Sequence, residues 1–120
     1  MSQQLPHGQF DPPMPARRLR VYVGESDKVG GTPLYEAIVL KARELHLAGA
    51  TVLRSPMGFG ANSRLHTLKV LRLSQDLPFV VEIVDTEANL ARILPYLREH
   101  VRGGLVTIED VGVLQYHPGG

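Results

Sequence analysis

The apolar residues of this chain change their period in a fixed order, and that order restricts the fold more than any single motif does. Leu19, Val21 and Val23 alternate with Arg18, Arg20 and Tyr22, the period of two that a half-buried strand requires. Gly24 stops the alternation. Thr32-Pro33 then offers a helix start, with threonine as N-cap and proline at the first helical position, where its missing N–H is no loss. Leu34, Ile38, Ala42 and Leu45 recur at helical spacing, and Gly49 is placed to end that helix as a left-handed cap. Thr51, Val52 and Leu53 open a second strand. Pro78 to Val84 is nearly all apolar and β-branched, as a central strand should be. Asp85-Thr86 starts a second helix with Leu90, Ile93, Leu94, Leu97 and Val101 on one face, and Pro95 inside it must kink or split it. Gly103-Gly104 ends this helix, and Leu105 to Tyr116 forms a last strand region. The order β-α-β-β-α-β predicts an α+β, ferredoxin-like fold in which two helices cover one face of a four-stranded sheet. The opposite face is left bare and apolar, which calls for packing against another subunit.

Length and composition narrow the alternatives. The 120 residues make one domain. Residues 1–16 contain Pro6, Pro12, Pro13 and Pro15 and show no apolar periodicity, so they read as a disordered proline-rich tail or an extended arm. The folded part is expected over residues 17–116, with 117–120 frayed. There is no cysteine, hence no disulfide and no thiolate site. No apolar run approaches the roughly 20 residues of a membrane span, and the N-terminus lacks the layout of a signal peptide. The expectation is a cytoplasmic protein that does not span a membrane.

Charge is distributed unevenly within a nearly neutral total of +1. Between Glu44 and Asp76 there is no acidic residue, while His46, Arg54, Arg64, His66, Lys69 and Arg72 all fall there. The same window holds Gly58-Phe59-Gly60, whose glycines let backbone N–H groups approach an anion closely. No Gly-Lys-Ser/Thr follows, so this is not a P-loop. Alternatively, this is a solvated basic loop with Phe59 in the core. A second candidate is the loop Gly24 to Gly31, where Glu25, Asp27 and Lys28 could touch a ribose or hold a metal, or could be ordinary turn residues beside a helix N-terminus. The histidines show no zinc-site spacing. The serines lack a nucleophile-elbow context. No pair among Glu25, Asp27, Glu82, Glu109 and Asp110 is favoured for acid–base work. The chain reads as a non-enzyme with no catalytic residue, no metal and no required cofactor.

The strings RVYVGESDKVGGTPLYEAIVLKARELHLAGATVLRSPMGFG, LSQDLPFVVEIVD and GGLVTIEDVGV together resemble the PII-like family known as domain of unknown function 190. The resemblance spans residues 17–116 and implies a compact homotrimer with its sheets facing inward. It further implies that an adenine nucleotide binds in the cleft between neighbouring subunits. The matching positions are Gly58, Phe59, Gly60 and the loop carrying Arg64 and His66, with Arg102, Gly103 and Gly104 before the last strand. Glu25 and Lys28 lie on the rim. A mobile loop, here Ala61 to Leu71, would dock a membrane transporter or an enzyme. No tyrosine lies between Tyr35 and Tyr96, so the modified tyrosine of PII loops has no equivalent. The alternative is a structural or RNA-binding module on the same fold. With 6% aromatic residues and only Tyr22 and Phe79 to offer on strands, a base-stacking platform is poor and no nucleic-acid partner is expected.

Overall fold

The computed structural model describes residues 4–54 and 78–118. Its strands are β1 (Gly8–Gly24), β2 (Lys28–Val29), β3 (Thr32–Pro33), β4 (Thr51–Arg54), β5 (Pro78–Asp85) and β6 (Leu105–Tyr116); its helices are α1 (Leu34–Glu44), α2 (Glu87–Ala91) and α3 (Leu94–His100). The main sheet has four strands in the order β4-β5-β1-β6, and each neighbouring pair is antiparallel. The fold is α+β, with the helices on one face of this sheet.

The core is the interlocking of two periods. Leu19, Val21 and Val23 of β1 stand beside Ile83, Val81 and Phe79 of β5. All six are buried against Leu34, Ile38 and Ala42 of α1 and against Leu90, Ile93 and Leu97 of the second helical region. Pro95 acts as expected: the helix is split, and the proline occupies the first turn of α3, where its missing N–H is tolerated. Thr86 caps α2 by accepting from the Asn89 N–H. The buried Asp85 carboxylate ties this cap to the α1–β4 turn, accepting from the N–H groups of Thr86 at 2.7 Å and Ala48 at 2.8 Å and from the Asn89 amide at 2.9 Å.

Several sequence expectations are corrected. The N-terminal segment is not a disordered tail over its whole length. β1 begins at Gly8, pairs with β6 back to Tyr116, and shifts register between Gln9 and Met14 around Pro12 and Pro13, which have no N–H for the ladder. Leu5 is buried as well. At α1 the boundary moves by one residue. Pro33 is the cap, without a side-chain hydrogen bond, and Thr32 pairs with Val29 in a small hairpin. Gly30 and Gly31 both have positive φ, as a two-residue hairpin turn requires. The left-handed residue after α1 is His46, with φ 59°, and not Gly49.

The sheet face away from the helices is not uniformly apolar. One cross-strand row is Leu53–Val80–Tyr22–Leu105. The next rows carry charge: Glu82 and Arg20 pair at 2.6 Å, Glu109 and Arg18 at 2.7 Å, and Arg20 also reaches Glu109 at 3.3 Å. These pairs account for Glu82 and Glu109 as ion-pair partners of arginine.

Candidate functional site

The C-terminal end of β1 gathers the described candidates. There β1 ends at Gly24, β4 ends at Arg54, β5 begins at Pro78 and β6 begins at Leu105. Residues 55–77 connect Arg54 to Pro78, and the sequence candidates Gly58, Phe59, Gly60, Arg64 and His66 lie outside the described residues.

Glu25 is brought onto a partner that local spacing could not reveal. Its two carboxylate oxygens accept from Nη2 of Arg54 at 3.0 and 2.9 Å. The Arg54 guanidinium also sits 5.4 Å from the centroid of the Phe79 ring, and Phe79 stacks on Tyr35 of α1 at 4.2 Å. This places a cation on an aromatic platform directly before the chain leaves β4. Arg54 belongs to the acid-free basic window, but the sequence reading did not single it out as a ligand residue. Its signal was its position as the last residue of the strand.

The neighbouring loop is organised by Asp27. Its carboxylate accepts from the Gly24 N–H at 2.9 Å, and its carbonyl accepts from the Leu34 N–H at 2.7 Å, so Asp27 is a turn residue. Lys28 is exposed in β2.

The Arg102-Gly103-Gly104 segment lies at the same end of the sheet but on its other edge. Arg102 is exposed, and its Nε meets the Glu99 carbonyl at 3.5 Å. Gly104 has a structural reason for being glycine, since a Cβ there would collide with the Tyr22 carbonyl and stand 2.9 Å from Val101 Cγ1. Gly103 faces open space. The strand order separates Arg54 from Arg102 by the width of the sheet, about 14 Å at the usual strand spacing. Within one subunit the two arginines therefore stand by opposite edges of the sheet. Among the described residues no cluster of three or more metal-ligating side chains occurs. Nor, among them, is any helix long and apolar enough to cross a membrane.

Residues 16–113 match the model of the family DUF190, described as "Uncharacterized ACR". The chain belongs to this family. A UPF0166 protein of Aquifex aeolicus is 37% identical over 99 residues, covering 80% of this chain and 90% of the relative. A second UPF0166 protein, from Methanocaldococcus jannaschii, is 35% identical over 99 residues, covering 82% and 91%. Among solved structures, the chain resembles CPII of Thiomonas intermedia K12, a nitrogen regulatory PII-like protein bound to ADP, AMP and bicarbonate. That match has a TM-score of 0.62 and 16% identity, and covers 85% of this chain and 91% of the other. A Thermus thermophilus protein classed as PII-like matches with a TM-score of 0.58 and 17% identity, covering 84% and 90%. At these identities the likeness concerns the fold, which is PII-like.

Proposed function

We propose that this protein is a non-enzymatic PII-like regulator that binds an adenine nucleotide between subunits of a homotrimer and signals through the loop that follows β4. The observation that carries the reading is the pair of basic elements on opposite sheet edges. Arg54, held by Glu25 over Phe79, stands on one edge, and Arg102, three residues before the last strand, stands by the other. Packing one subunit's β4 edge beside the next subunit's β6 edge makes a single cleft from both. The all-antiparallel order β4-β5-β1-β6 supports a ferredoxin-like reading of the fold, and CPII, which resembles this chain in fold, was solved with ADP and AMP.

The free sheet face supports the assembly. Leu53 and Leu105 are 47% and 57% exposed in the isolated subunit, and they flank Tyr22 and Val80 in one apolar row. Such a row gains from burial, at about 25 cal/mol per Å² of apolar area. The adjoining arginines already carry their carboxylate partners, so packing leaves no unpaired charge among them.

In the cleft, the arginines would neutralise phosphate, and backbone N–H groups of Gly58 to Gly60 would add donors. Lys28 and His66 would lie on its rim. Binding would order the loop spanning Ala61 to Leu71 and present it to a transporter or an enzyme. The test is differential scanning fluorimetry with ATP, ADP, AMP and cyclic AMP, each with and without magnesium. A ligand at a hundred-fold excess over Kd raises stability by about 2.7 kcal/mol, which should appear as a clear rise in melting temperature. The absence of a shift with all of them removes the nucleotide from the reading.

A further inference from the structure

The opposite end of the sheet holds an open cavity, built partly from residues beyond the family match. It is about 570 Å³ and lies between the segment before β1, the turn after α1 and the end of β6. Its polar wall is the exposed Gln4, His7, Arg43 and His46, and its apolar wall includes Leu5, Leu47 and Tyr116. No carboxylate is among the described residues that line it. Glu44, next to Arg43, is 3.5 Å from the ammonium of Lys41.

Three features suit this cavity to an anion. Most of the carbonyls at the C-terminus of α1, whose dipole would repel one, are occupied. Those of Lys41, Ala42 and Arg43 accept from the N–H groups of Leu45, Leu47 and His46, and the Leu45 carbonyl takes an Arg92 Nη1 at 2.9 Å. Second, His46 holds the left-handed conformation at a helix end where glycine is the usual residue. A side chain at this position has to offset that backbone preference, and this one lines the cavity. Third, the wall is fixed from both termini: the His7 ring contacts the Tyr116 ring at 5.4 Å, and the Tyr116 hydroxyl donates to the Ala48 carbonyl at 3.1 Å.

We propose that this cavity binds a small organic anion, a phosphate or carboxylate head on a ring or short apolar body. Arg43, His46 and His7 meet the head, while Leu5, Leu47 and Tyr116 meet the body. The site is distinct from the inter-subunit cleft, because it adjoins the start of β4 and not its end.

Isothermal titration of the full chain with phenyl phosphate and with benzoate tests it. Binding of either is expected, and the tighter one identifies the head group. Arg43→Gln and His46→Gly should each weaken binding by about tenfold, the scale of one charged hydrogen bond. His46→Gly suits the left-handed backbone, so its melting temperature should not fall. An excess of ADP should leave the titration signal in place. The proposal is overturned if neither probe binds, if both variants bind like the parent, or if ADP displaces the probe.

Discussion

Arg54 is the residue on which the nucleotide reading turns, and it is already occupied in the described subunit by Glu25. The two side chains are 47% and 31% exposed, so their pairing contributes little to stability, at most about 1 kcal/mol. Its consequence is for binding: an incoming phosphate must compete with the Glu25 carboxylate. Glu25→Gln should therefore raise adenine-nucleotide affinity, by roughly threefold to tenfold, while Arg54→Gln should lower it by about tenfold or more. Calorimetric titration of both variants checks this, and equal affinities in parent and variants would show that Arg54 does not meet the ligand. Gly104 makes a separate residue-scale prediction. Gly104→Ala drives a methyl into the Tyr22 carbonyl, and overpacking of this kind costs about 1–3 kcal/mol, readable as a lower urea midpoint.

At the scale of elements, the joint between β5, α2 and the α1–β4 turn depends on Asp85. Its substitution by alanine removes an acceptor from the Ala48 and Thr86 N–H groups and from the Asn89 amide. The expected loss is about 3 kcal/mol by urea denaturation. The charged rows on the free sheet face add a pH dependence. Hydrogen bonding from Arg18, with the further charge of Arg20, holds the Glu109 carboxyl below the ordinary glutamate range. Because its folded value is depressed, the stability it contributes is present above its unfolded value and is lost as pH falls through the folded one. Urea midpoints followed downward through the glutamate range should fall, and Glu109→Gln should flatten that part of the profile.

These elements also divide what the sequence could reveal from what it could not. The strands and the Pro95 split were legible because period and proline chemistry act within a few residues. The Asp85 joint and the Glu25–Arg54 pair were not, since their partners lie 37 and 29 positions apart and only the sheet register brings them together. The proline-rich start stayed open between a disordered tail and an extended arm for a related reason. Its low local propensity is overridden by pairing with β6, which begins nearly a hundred residues later. The left-handed His46 defeated a rule that reserves such positions for glycine.

For the whole molecule, one sheet face is covered by helices, and the other carries an apolar row beside neutralised charge. A single subunit leaves that row in water and keeps its two basic edges apart; a closed ring of subunits would resolve both. Leu53→Lys, placed in the exposed row, should therefore weaken assembly without disturbing the buried core. Sedimentation velocity should then show smaller species at micromolar concentration, with unchanged far-UV circular dichroism. Native mass spectrometry of the parent protein with ADP tests the central claim most directly, because one spectrum counts chains and ligands together. Three chains carrying up to three nucleotides is the expected result. A monomer, or a trimer that takes up no ATP, ADP or AMP, would contradict it.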